Sequence, residues 1–253
     1  MFVVFMVGTA GSGKSLLTAA FSEWLEMETQ KVSTVNLDPG VLTLPYSPDV
    51  DVRNYVKVGD IMEDYGLGPN GALILAADFI AEDVKQVSNE IEDLGADVVL
   101  VDTPGQMELF AFRGSGPYIA RELTDGKKAL VYLFDSVFSH RSLNFVSNLF
   151  LSAAVYNRFL LPQIHLLSKC DLVPEEEINR IVDWSEDHHA LGEAIDQELR
   201  GTKRLLSIDM MQAIYQLGLN FMLIPVSAKT NEGMTNFNTA LERVLTGGNK
   251  YTL

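Results

Sequence analysis

The run Gly8-Thr9-Ala10-Gly11-Ser12-Gly13-Lys14-Ser15 constrains this chain more than any other stretch. It fits G-x-x-x-x-G-K-[ST] and lies between the apolar run Val3–Val7 and a helical segment beginning near Leu16. Backbone freed from side-chain bulk lets successive N–H groups wrap a polyphosphate, and the helix N-terminus behind them favours anions. Gly8, Ala10, Gly11, Ser12, Gly13, Lys14, Ser15 and Leu16 are therefore the candidate phosphate-binding residues. Lys14 neutralises charge between the β- and γ-phosphates, and Ser15 offers a hydroxyl to Mg2+, a hard ion that takes oxygen ligands.

Further short, non-alternating apolar runs occur at Val32–Asn36, Asp97–Asp102, Ala129–Asp135, Gln163–Ser168 and Met222–Val226. Runs of that kind suit parallel strands covered on both faces. Between them Leu73, Ala77, Ile80, Val84, Val87, Ile91 and Leu94 recur at alternating helical steps and make one apolar stripe. The expected fold class is α/β: a doubly wound, mainly parallel sheet flanked by helices, of the phosphate-loop NTPase type, with ligands at the carboxyl ends of the strands. Residues 172–219 have helical character and no strand pattern, with Leu206, Met210, Ile214 and Leu217 at helical spacing. They are expected to form a helical insertion in one domain spanning 1–253. Within it, the adjacent His188 and His189 point to different sides of a helix and suit exposed residues better than a metal site.

Composition narrows the function. With 47% hydrophobic residues in 253 the chain can build a sizeable core. Thirty-four acidic residues against 19 basic give a net charge of −15, which argues against direct nucleic-acid or membrane binding. Cys170 is the only cysteine, so no intrachain disulfide forms and a cytoplasmic location is expected. No uncharged apolar stretch reaches the roughly 18 residues of a membrane span.

Asp102 closes a buried-strand pattern and opens the D-x-x-G run Asp102-Thr103-Pro104-Gly105, followed by Gln106. A carboxylate at a strand's end can hold a magnesium-bound water, the Gly105 N–H can meet the γ-phosphate, and Gln106 can orient attacking water. Asp38-Pro39-Gly40 follows the second strand run. Asp38 can orient water or a magnesium-bound water, although the tripeptide by itself also reads as a turn. Ser168-Lys169-Cys170-Asp171 fits [NTS]-K-x-D, whose aspartate accepts from the guanine N1–H and 2-amino groups. Adenine has no such donor pair. The Lys169 stem can pack along a purine, and Ser227-Ala228-Lys229 suits a loop whose N–H contacts guanine O6. Together these motifs favour GTP over ATP.

In this order, and with Gly68-Pro69-Asn70 between them, the motifs resemble the GPN-loop GTPase family over essentially the whole chain. The resemblance implies Mg2+-dependent hydrolysis of GTP to GDP and phosphate by a homodimer, each protomer's GPN loop reaching the partner's nucleotide. Asn70 and Gln106 would then hold the attacking water, with Lys14, Asp38 and Asp102 completing the catalytic set. A neutral amide suits that place because it donates and accepts hydrogen bonds without repelling a polyphosphate. In eukaryotic members the resemblance points to a protein client connected with RNA polymerase assembly. Arg53 and Arg113 match no motif. Other classes are a nucleotide-gated assembly factor with little turnover, a phosphate-loop kinase, and a GTP-dependent metallochaperone, which would lack Cys-x-Cys or clustered histidines here.

Overall fold

The computed structural model describes residues 1–218 and 221–247. Its strands are β1 (Phe2–Gly8), β2 (Val32–Asn36), β3 (Val50–Asp51), β4 (Val98–Asp102), β5 (Lys127–Asp135), β6 (Gln163–Ser168) and β7 (Leu223–Pro225). They form one seven-stranded sheet in the order β3-β2-β4-β1-β5-β6-β7. Every pairing is parallel. The doubly wound α/β class expected from the apolar runs is therefore the fold observed.

Alternation along β1 shows why its sequence is apolar throughout. Val3, Phe5 and Val7 enter one buried cluster, whereas Val4 and Met6 enter another on the opposite face. The second cluster is closed by α1 (Lys14–Met27) and by the C-terminal helix Met234–Thr246, through Leu17, Phe21, Phe237 and Leu241. The Phe21 and Phe237 rings meet at 4.2 Å, and deleting such a ring costs about 3–5 kcal/mol.

The other face is covered by α2 (Val58–Tyr65), α3 (Pro69–Glu82), α4 (Val84–Leu94), α5 (Met107–Phe110), α6 (Ser115–Glu122) and α8 (Ser142–Phe159), with the short α7 (Ser136–Ser139) between β5 and α8. Next in the chain come α9 (Glu175–Glu186), α10 (His188–Glu198) and α11 (Gly201–Gln216), and α12 is the C-terminal Met234–Thr246. Helices α9 to α11 lie between β6 and β7 and share the main core, with Trp184 against Phe145 at 5.7 Å between ring centroids. The expected end of this helical segment, residue 219, and the chain's last six residues, 248–253, lie outside the described residues.

Local details depart from the pattern reading. The stripe from Leu73 to Leu94 is divided between α3 and α4 at Asp83, where Gln86 N–H turns to Asp83 O in a tight i+3 bond. Helix α11 buries Ser207, Met211 and Ile214 and leaves Leu206 and Leu217 exposed, so its inward face is rotated from the expected one. The His188 and His189 rings do not diverge but contact each other at 4.0 Å, because both sit in the first turn, which Asp187 caps. Strand β3, only two residues long, has too few positions to show a period.

Candidate functional site

The carboxyl ends of β1, β2, β4, β5 and β6 bring the sequence-derived residues to one edge of the sheet. Gly8 ends β1, and a Cβ there would lie 3.0 Å from Leu133 O and 2.8 Å from Ser12 Oγ. Gly13 takes a left-handed φ of 96° as the N-cap of α1, and no side chain caps that helix. Its first-turn N–H groups have no intrahelical acceptors and remain available to an anion. Ser12 Oγ is buried without a hydrogen-bond partner. Ala10 and Gly11 are exposed at the rim, and Leu16 is half exposed beside it. Lys14 Nζ donates to Gly8 O at 3.0 Å and Thr9 O at 3.1 Å. Burial pushes its pKa below the ordinary lysine value, and the Asp102 and Asp38 carboxylates pull it partly back.

Asp102, at the end of β4, is 1% exposed. Burial raises its pKa to about 6, opposed by the Ser15 hydroxyl, Lys14 and Tyr46 and reinforced by Asp38. Tyr46 OH donates to Asp102 Oδ2 at 3.2 Å, while Oδ1 is buried with no hydrogen-bond partner. Asp38 Oδ1 accepts from Gly40 N–H at 2.9 Å and Oδ2 from Gly105 N–H at 3.0 Å. Two groups read from the sequence as contacts to water and γ-phosphate thus meet each other.

The loops after β6 and β7 add a second part to this edge. A cavity of about 310 Å³ is bounded by Gly13, Leu16, Ser168, Lys169, Asp171 and Ala228. Lys169 adopts a left-handed φ of 61°, and its Cε lies 3.8 Å from where a Gly13 Cβ would stand. Its Nζ pairs with Asp135 Oδ2 at 2.7 Å. Asp171 Oδ1 accepts from Ser227 Oγ at 2.8 Å, which ties the loop after β6 to the loop after β7. Ser168 Oγ donates to Ser12 O at 2.8 Å and fastens that part to the phosphate loop.

A family model described as "Conserved hypothetical ATP binding protein" matches residues 6–247. GPN-loop GTPase PAB0955 of Pyrococcus abyssi is 37% identical over 98% of this chain and 99% of its own length. The chain belongs to the GPN-loop GTPase family. QQT2 of Arabidopsis thaliana, another GPN-loop GTPase, is 31% identical over 94% of this chain, which spans 62% of that relative's length. A crystal structure of PAB0955, described as a GTPase in apo form, superposes with a TM-score of 0.85 and 34% identity, covering 96% of this chain and 97% of that one.

In this GPN-loop GTPase, Gly68 is the N-cap of α3, Pro69 its first residue and Asn70 an exposed side chain in its first turn. Pro at the start of a helix gives up no intrahelical bond, so the tripeptide suits its place. Gln106 is exposed just before α5. Among the described residues, no hydrogen bond links either amide side chain to the phosphate loop. Arg53 and Arg113 are engaged elsewhere, with Asp51 at 2.6 Å and Asp78 at 3.1 Å.

The donor set suits magnesium: a buried carboxylate oxygen without a partner on Asp102, beside the Ser15 hydroxyl. Among the described residues no three His, Cys, Asp or Glu side chains group as a metal cage. Mg2+ needs none, because it is commonly held by one or two carboxylates together with substrate phosphates. Sequence reasoning missed Tyr46 and Asp135. Asp135 ends a strand run at the ligand-binding edge, as Asp102 does, so the rule that singled out one applies to the other. Tyr46 lies in a loop without a motif, and only its contact reveals it.

Proposed function

We propose that this GPN-loop GTPase binds GTP with Mg2+ and hydrolyses it to GDP and phosphate as a homodimer in which Asn70 enters the partner's site. The Ser227–Asp171 contact at 2.8 Å carries the reading, because it holds a carboxylate at the end of a cavity whose other wall is Gly13. A carboxylate there rewards the paired donors of guanine, which supports GTP despite the ATP in the family description. Water attacks the γ-phosphorus, the bond to the β–γ bridging oxygen breaks, and GDP leaves with that electron pair. Lys14 and the free amides of the phosphate loop bind the phosphates, while Asp38, Gln106 and the partner-supplied amide orient the water. Ser15 and Asp102 would hold Mg2+, which when bound neutralises charge on the β- and γ-oxygens.

The test is binding of fluorescent GTP and ATP analogues to magnesium-supplemented protein, followed by phosphate release and by mass in solution with and without nucleotide. Preference for ATP, or a monomer that turns over normally, would overturn the corresponding part. The helices between β6 and β7 belong to the same single domain, and the lone Cys170 suits the cytoplasm. No described helix is long and apolar enough to cross a membrane.

A second reading, nucleotide-gated capture of a protein client with slow turnover, is favoured by α11. Its Leu205, Leu206 and the adjacent Leu217 are 59%, 58% and 67% exposed. Client binding in only one nucleotide state, such as to an RNA polymerase subunit, would support it.

A further inference from the structure

The loop carrying Asp38 leaves β2 at Asn36, which is fully buried. Its amide makes three contacts. Nδ2 donates to Asp38 O at 3.2 Å and to Asp51 Oδ1 at 2.9 Å, and Oδ1 accepts from Asp38 N–H at 3.0 Å. Asp51 stands opposite Asn36 in the register of the short strand β3. Arg53 grips Asp51 with Nη2 at 2.6 Å from Oδ2 and Nε at 3.0 Å from both oxygens, and its own N–H reaches Oδ1 at 3.0 Å. Burial works against the charge on Asp51, but Arg53 and Asn36 outweigh it and hold its pKa below the ordinary carboxylate value. Arg53 also donates to Val41 O at 3.0 Å, fastening the far side of the same loop.

We infer that Asn36 is a positioning residue: braced by Asp51 and Arg53, it grips the Asp38 backbone on both sides and so aims the Asp38 carboxylate at the water or at Gly105. This deepens the proposed function and rests on the role given there to Asp38. A buried amide that satisfies both backbone groups of one residue leaves that residue little rotational freedom. The edge strand β3 then has a use beyond closing the sheet, since its register sets Asp51 against the amide.

The variants that test this separate aim from folding. Asn36→Asp replaces the donor that faces both Asp51 and the Asp38 carbonyl with an acceptor, yet keeps an oxygen for the Asp38 N–H. It should lower single-turnover GTP hydrolysis about tenfold or more, while affinity for a non-hydrolysable GTP analogue stays within about twofold. Combining Asn36→Asp with Asp51→Asn relieves the repulsion between the two side chains but leaves the Asp38 carbonyl without its donor, so part of the rate should return and not all of it. Arg53→Met, at a partly exposed side chain, should lower the rate several-fold with affinity unchanged and decides the matter if Asn36→Asp does not fold. Wild-type rates in Asn36→Asp or Arg53→Met overturn the inference, as does a loss matched by equal losses of affinity and melting temperature without recovery in the double variant. Asp38→Ala is the control. Wild-type turnover there overturns the role of Asp38 itself, whereas loss there without loss at Asn36 or Arg53 overturns only the positioning.

Discussion

Gly105 N–H donates to Asp38 Oδ2 at 3.0 Å, joining the loop after β2 to the loop after β4. If the Gly105 N–H meets the γ-phosphate as proposed, that phosphate must displace the Asp38 carboxylate from it, and the loop pair would then sense the third phosphate. A Cβ at Gly105 would stand 3.9 Å from Asp38 Oδ2, an ordinary contact, so Gly105→Ala should fold. It should bind GDP normally and lose about tenfold in affinity for a non-hydrolysable GTP analogue, equivalent to about 1.4 kcal/mol. Equal affinity for the analogue in both proteins would remove Gly105 from γ-phosphate recognition.

Asn70 is exposed in the first turn of α3. Asn70→Ala should therefore shift stability by less than about 0.5 kcal/mol. Turnover should fall about a hundredfold, on the scale of losing one donor at a transition state. Phosphate-release kinetics alongside analogue binding check this, and wild-type turnover would refute the role of Asn70.

Asp171→Asn exchanges one acceptor for a donor at the position proposed to face guanine's two donors. Discrimination between GTP and ATP should shrink by about tenfold or more, because a donor set against donors leaves buried polar groups unpaired. Competition of unlabelled GTP and ATP against one fluorescent nucleotide reads the ratio directly. An unchanged ratio would show that Asp171 does not read the base.

Gly8 sits where backbone and side chain converge, 3.0 Å from Leu133 O and 2.8 Å from Ser12 Oγ for an added Cβ. Gly8→Ala should destabilise the fold by about 1–3 kcal/mol through overpacking. Thermal melts measure it, and an unaltered midpoint would mean that the loop relaxes freely.

His165 on β6 is 6% exposed between Phe134 and Phe221, and burial lowers its pKa to about 4. The unfolded chain, with the ordinary value near 6.5, binds the proton first as pH falls. This group therefore leaves stability untouched above about pH 6.5 and erodes it progressively down through pH 4. Between pH 7 and 4.5 the loss is about 2 kcal/mol, and His165→Leu should remove it from the urea-unfolding curves. An identical acid loss in the variant would assign it to other groups.

Much of the architecture was legible because it depends on spacing along the chain. Apolar runs of strand length, with Gly8 to Ser15 directly after the first, are local patterns, and a parallel sheet with helices on both faces is how they bury. Where the pattern was too short or too uniform it failed. Strand β3 spans two residues, and α11 carries enough apolar side chains that its periodicity admits more than one buried face.

By itself, then, the sequence determined the phosphate loop, the fold class and the family, since each is written in residues that are neighbours in the chain. Only the tertiary structure decided that Asp38 meets Gly105, that Lys169 pairs with Asp135 34 residues away, and that Tyr46 covers Asp102 56 residues away. The reason is physical. Such partners are set by strand order and by which loops emerge side by side at the sheet's carboxyl edge, and no spacing along the chain encodes that distance in space.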